Sequence, residues 1–200
     1  MSARNFSVLC VSGVALALTS TPAVAHTGTG LAGGFVAGFA HPLTGLDHLL
    51  AMICVGLWGA FLGRPLIYAL PVIFPGVMVL GAALGMFAVP VPTVEIGVAL
   101  SVLVLGVCIA LSLRAPVWVA CVIVAAFGIF HGYAHGRELP SAADPAGYSV
   151  GFVLATGMLH LAGISIGLLN DIPHGVRVTR SLGGAIGVAG GWFLYRAVVS

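Results

Sequence analysis

The chain has no lysine, and charged residues of every kind make up only 6% of its 200 residues. Without lysine there is no Gly-x-x-x-x-Gly-Lys-Ser/Thr loop, so nucleotide-driven work by this chain is excluded. The seven basic residues are all arginine and are scattered, which leaves no basic patch for nucleic acid. His-Glu-x-x-His is missing, which removes the commonest zinc-protease signature. The four cysteines form no Cys-x-x-Cys pair. Cys10 lies in a segment expected to be removed. Cys54, Cys108 and Cys121 fall inside apolar runs and read as small packing hydrophobes rather than a disulfide framework.

What the chain does have is apolar length. Hydrophobic residues make up 60%, in runs of about twenty residues, the length a helix needs to cross a bilayer core. The expected fold is therefore all-α, a polytopic transmembrane helix bundle in contact with lipid. The 29 glycines suit helices that approach one another closely in a membrane. Two small-xxx-small candidates are Gly81 to Gly85 and Gly183 to Gly187.

Residues 1–25 read as a cleaved signal peptide. Arg4 supplies the positive region, 6–18 the apolar region, and Ala23-Val24-Ala25 the cleavage site. The remaining 26–200 form one transmembrane domain, with a mature N-terminus, His26, outside the bacterial inner membrane. A terminal histidine can chelate a transition metal through its α-amino nitrogen and Nδ1. Residues 27–40 are too short for a full span and read as an interfacial or re-entrant helix. Six spans follow, at about 43–63, 66–89, 93–113, 117–135, 148–169 and 181–199. Pro71 and Pro75 are expected to kink the second. On this layout Arg64, Arg114, Arg177 and Arg180 are cytoplasmic, and Arg137 and Arg196 external, in agreement with the positive-inside rule.

Against this apolar background two polar clusters stand out. The first is His41-Pro42-Leu43-Thr44-Gly45-Leu46-Asp47-His48, and the second is Phe130-His131-Gly132-Tyr133-Ala134-His135-Gly136-Arg137-Glu138. Ionisable groups at membrane depth are costly and therefore mark function. The six-span layout brings both clusters to the outer face. His131, His135 and Glu138 are spaced i, i+4, i+7 and share one helix face if the helix runs that far. His41 and His48 are seven apart, with Pro42 suited to a first helical turn, and Asp47 is off their stripe, so it can orient a histidine or bind directly. Imidazole and carboxylate without thiolate suit a divalent transition metal that must leave as well as arrive. Glu95, Met158 and His160 are weaker candidates for an ion path, and Asp144, Asp171 and His174 read as loop residues.

The motif His41 to His48 resembles the first-segment signature of the HupE/UreJ family. Phe130 to Glu138 matches in full the family's second, Phe-His-Gly-x-[Ala/Val]-His-Gly-x-Glu. The resemblance implies a permease for Ni²⁺, or for Co²⁺ in some members, that supplies hydrogenase or urease maturation. His41, Asp47, His48, His131, His135 and Glu138 are then the motif residues. The expected protein is a secondary permease or facilitated-diffusion channel and not an enzyme. It carries no permanent cofactor, and Ni²⁺ (or Co²⁺ or Zn²⁺) is its cargo; homo-oligomerisation is left open. The competing reading is a membrane metalloenzyme or haem protein built on the same clusters.

Overall fold

The computed structural model describes residues 31–138 and 144–199. The expected signal peptide, its cleavage site and His26 lie outside the described residues. Every regular element among them is helical. They are α1 (Leu31–Thr44), α2 (Leu46–Leu62), α3 (Leu66–Met86), α4 (Val94–Ala110), α5 (Val117–Glu138), α6 (Pro145–Gly167), a 3-10 turn (Leu168–Asp171) and α7 (Gly175–Val199).

Four of these are long and apolar enough to cross a bilayer: α3, α5, α6 with its 3-10 turn, and α7. Residues 33–44 of α1 pass the same test only jointly with α2, across a bend of 81°, which makes them a broken span or a re-entrant loop. The chain is thus a multi-pass membrane protein, with four to five candidate spans among the described residues. The six expected from sequence exceed that count because the apolar helix α4 has only 17 residues, about 25 Å against roughly 30 Å of hydrocarbon, and α2, also 17, passes only together with α1. Large side chains on the outside of the bundle are apolar, among them Tyr68, Val72, Trp118, Val122, Leu161 and Val188. Lipid is the solvent such a surface suits.

The break between α1 and α2 also corrects where the first span begins. Pro42 lies inside α1 rather than at the start of α2. A proline has no N–H, so the Gly38 carbonyl loses its helical donor, and the helix stops within two residues. Thr44 Oγ1 donates to the His41 carbonyl at 2.9 Å, closing the last turn of α1. Gly45 is extended (φ −85°, ψ 105°), and its carbonyl accepts from Leu49 at 2.9 Å to start α2. α5 continues through Glu138, and α7 begins at Gly175, so both polar loops are shorter than expected. α3 runs through Pro71 and Pro75 as a single helix.

Glycines set how closely the helices pack. A Cβ at Gly132 of α5 would run into the Met78 carbonyl of α3, and one at Gly136 into the Ala82 carbonyl. Gly81 and Gly85 of α3 meet the α5 backbone in the same way, and Gly183 meets α4. The two small-residue motifs seen in sequence therefore lie in helix contacts. Gly56 and Gly163 make the matching contact between α2 and α6, and Gly34 and Gly38 of α1 fit against Asp144 and Tyr148 at the start of α6. In a bilayer, where apolar side chains gain little by leaving lipid, such close backbone packing is a main source of association. The core between these contacts holds Trp58, Phe74, Met52, Leu57, Leu70 and Leu105, all fully buried.

Gly132→Leu forces α3 and α5 apart and is expected to destabilise the protein by about 2 kcal/mol or more. Gly76→Ala, where an added Cβ meets no neighbouring helix, does not lower stability. Thermal unfolding of the detergent-purified variants checks the contrast.

Candidate metal centre

The break in the first helix pair decides where the polar residues go. His41 occupies the last turn of α1, and Asp47 and His48 the first turn of α2. The carbonyl end of α1 carries partial negative charge, which favours a cation beside His41. His131, His135 and Glu138 lie on the last two turns of α5, whose C-terminal end favours a cation for the same reason. The two clusters meet at one end of the bundle. His41 Nε2 is 3.0 Å from Glu138 Oε2, and His135 Nδ1 is 3.9 Å from the same oxygen. One ligand atom from each of His41, His135 and Glu138 falls within 4.8 Å of the others, the spacing of a metal site.

Behind this rim the imidazoles continue inward in ring-to-ring contact. The His135 ring centroid is 4.9 Å from that of His41 and 4.6 Å from that of His48, and His48 is 4.7 Å from His131. Exposure falls along the same line. Glu138 is half exposed and His41 a third exposed, whereas His135 is 6% and His131 0% exposed.

The hydrogen bonds around each ring determine which nitrogen keeps its lone pair. Asp47 Oδ1 lies 2.8 Å from His48 Nδ1 and also accepts the His48 backbone N–H at 2.8 Å. A carboxylate only accepts, so Nδ1 carries the proton and the buried, unpartnered Nε2 is left as the free base. At His131 the argument runs through Ser101. The Ser101 hydroxyl donates its one proton to the Val98 carbonyl at 2.6 Å, so its oxygen can only accept from His131 Nε2 at 2.9 Å. Nδ1 of His131 is then the free base, and it too is buried without a partner. Fixing one imidazole nitrogen with an acceptor while baring the other is the usual support of a metal-binding histidine. Asp47 accordingly touches a histidine rather than the shared space.

His160 repeats the pattern deeper in the bundle. Its imidazole hydrogen-bonds the Pro71 backbone. Proline has no N–H to give, so the contact is with the Pro71 carbonyl, which Pro75 leaves without a donor inside α3. Nε2 of His160 is buried without a partner. Phe74 stands between His131 and His160, with ring centroids 5.3 and 5.7 Å away. Met158 does not share this environment. It is 59% exposed on the outside of the bundle, because two positions along a helix lie on nearly opposite faces. Glu95 is exposed in the first turn of α4. Asp144 caps α6 by accepting from the Ala146 N–H at 3.1 Å, while Asp171 ends the 3-10 turn and His174 precedes α7.

Four residues of the site carried no signal of their own in the sequence: Phe74, Ser101, Tyr148 and Phe152. The Phe152 ring packs on His135 at 4.3 Å, and Tyr148 lies 5.8 Å from the His41 ring. A cavity of about 120 Å³ opens between α3, α5 and α6, bordered by Met78, Gly132, His135, Tyr148, Phe152 and Thr156. The one available clue was position, since residue 148 begins a span at the end where both clusters lie.

Chemically, the arrangement offers imidazole nitrogens and one carboxylate, drawn from three helices and graded from an accessible rim to a buried interior. The profile of the family described as HupE / UreJ protein matches residues 14–193. Protein HupE of Rhizobium leguminosarum bv. viciae is 41% identical over 176 residues, 88% of this chain and 92% of the relative. No solved structure matches the chain. With both motifs in place and the match running over most of its length, the chain belongs to the HupE/UreJ family.

Proposed function

We propose that this protein is a secondary permease or facilitated-diffusion channel that takes up Ni²⁺, with Co²⁺ as the near competitor, across the bacterial inner membrane for hydrogenase or urease maturation. The observation that carries the reading is the meeting of His41, His135 and Glu138 within 4.8 Å at one end of a membrane bundle. Family membership supports it independently, because what the resemblance implies is nickel uptake. In this reading residues 1–25 are a signal peptide, and His26 begins the mature chain outside and adds a nitrogen to the capture site. α2 to α7 are six crossings, with α4 a short one, so that the imidazole rim faces the periplasm.

The mechanism starts with an aquated divalent cation at the rim. Glu138 and His41 replace the first waters, and His135, shared between rim and interior, hands the ion to His48 and His131. Each transfer exchanges one nitrogen base for a similar one, so no station holds the ion much more tightly than its neighbour. Thiolate ligands would trap it instead. The membrane potential favours inward movement of a divalent cation by about 4.6 kcal/mol per 100 mV. An enzyme reading has less support. Imidazole rings in edge contact leave no slab between them for a haem macrocycle, and the ligands suit capture without a resident cofactor.

Uptake of ⁶³Ni²⁺ at nanomolar metal, in cells lacking other nickel importers, tests this directly. His48→Ala and His131→Ala at matched membrane expression are each expected to lower uptake by about ten- to a hundredfold. Background uptake by the wild type, despite correct insertion, sinks the proposal. Asp47→Asn keeps every proposed ligand but removes the acceptor that fixes the His48 tautomer, and should weaken apparent nickel affinity by about tenfold. An unchanged affinity would remove Asp47 from the mechanism. Uptake should also fall once external acid protonates the capture imidazoles, because a protonated ring has no lone pair. Uptake that never falls with acidification argues against imidazole capture.

A further inference from the structure

The helix contacts repeat themselves with a change of partners. Gly163 of α6 faces the Ile53 carbonyl and Leu57 amide of α2, and Gly81 of α3 faces the Ile129 carbonyl and Tyr133 amide of α5. Gly56 of α2 faces the His160 carbonyl of α6, and Gly132 of α5 faces the Met78 carbonyl of α3. Gly167 meets the Leu57 carbonyl, and Gly85 meets the Tyr133 carbonyl. One exchange turns each contact into its counterpart: α2 with α5, and α3 with α6. The third pair obeys it as well. Gly190 of α7 meets Leu103 of α4, and Gly183 meets Ala110, so swapping α4 with α7 carries one contact onto the other.

Register fixes the direction of the helices. Going from Gly56 to Ala60 on α2 goes from His160 to Gly167 on α6, so these two run the same way. Phe74, Met78 and Ala82 likewise ascend with Gly128, Gly132 and Gly136 on α5. α4 and α7 run opposite ways. Two three-helix units related in this manner enter the membrane from opposite sides, the inverted-repeat architecture of many secondary transporters. α1 has no counterpart, so His41 belongs to the outer end alone.

The exchange also picks out one place in the bundle. It maps Phe74 onto Thr156 and Met78 onto His160, so these four positions surround the axis, at the contact of α3 with α6. The Phe74 and His160 rings are 5.7 Å apart there. His160 is 2% exposed with Nε2 bare, and the Thr156 hydroxyl, 1% exposed, also has no partner. The cavity of the metal centre reaches Met78 and Thr156 from the imidazole end. The residues that the exchange equates with its Tyr148 and Phe152 walls are Leu66 and Leu70, both packed in the core. Phe74, fully buried, closes the direct line from His131 to His160.

We propose that α2–α4 and α5–α7 are an inverted repeat that rocks about the contact of α3 with α6, and that His160 at this contact is a second station for the divalent cation, screened from the outer imidazoles by Phe74. The state described here is open towards the imidazole end. Its partner state opens a cavity past Leu66 and Leu70 and delivers the ion from His160 to the other side. The proposal rests on the transport reading for its cargo, while the repeat stands on the helix contacts.

Two measurements separate these parts. The first uses the full chain in proteoliposomes with Cys54, Cys108 and Cys121 changed to alanine, and reads labelling by a hydrophilic maleimide without reference to transport. Leu70→Cys is expected to react about tenfold faster than Leu105→Cys, an equally buried position away from the axis. Equal rates overturn the rocking repeat. The second keeps the native cysteines and compares His160→Leu with His160→Met, which restores a ligand for a transition metal. With ⁶³Ni²⁺, His160→Leu should lose about tenfold or more in uptake, while binding to the purified protein at the outer site stays within about twofold. His160→Met should recover a substantial part of that loss. Wild-type uptake in His160→Leu overturns the station, as does a loss in which Leu and Met are alike. Vesicles of wild type that move no nickel overturn the transport reading and the station with it, and leave the labelling result to judge the repeat.

Discussion

At three histidines buried in the bundle one ring nitrogen is satisfied, and the choice of partner leaves the other nitrogen bare. The Asp47 carboxylate, the Ser101 hydroxyl oxygen and the Pro71 carbonyl can each only accept in the bond they make to His48, His131 and His160. Each therefore holds a proton on its side of the ring and presents a lone pair on the other. Were any of these partners a donor, the same ring would show an N–H to the interior and repel a cation. The polar interior of the bundle depends on these three acceptors, though only one of them belongs to a charged residue.

The backbone supplies the acceptors by being irregular in chosen places. Pro42 and the extended Gly45 end one helix and begin another inside the bundle, which brings the terminus of each to the site. Pro75 frees a carbonyl that a regular α3 would have used itself. Non-helical backbone at membrane depth is tolerated where it lines a cavity or is buried in protein. The glycines do the opposite work: they let whole helices lie against each other so closely that Phe130, next to His131, packs over Gly97 of α4.

Much of this was readable from the residues. Apolar run length gave the helices, and the chemistry of two short motifs, with the parity of the spans between them, brought His41 to Glu138. The failures have identifiable causes. Pro42 was read by its preference for a first turn, but a proline near a helix end suits a last turn as well when the next residues cap it. The 17 residues of α4 read as a span by composition, but their length alone leaves them outside the four to five candidates. Met158 shared His160's neighbourhood in sequence and not on the helix surface. Ser101 and Phe74 could not be found, because a lone serine or phenylalanine in an apolar run is unremarkable until the opposing ring is known. Gly128, Gly132 and Gly136 were hidden for a similar reason, among 29 glycines.

In the proposed transport reading, the ligands of the outer site come from different pieces of the chain: His41 from α1, His48 from α2, and His135 and Glu138 from α5. None of these pieces alone brings more than two of the four to the ion. The proposed grip on the metal is therefore a chelate whose teeth are set in separate solid bodies. A displacement of a few tenths of a nanometre between those bodies lowers the denticity without breaking any bond within a helix, so the hold on the ion is set by mechanics and can be released without a chemical reagent.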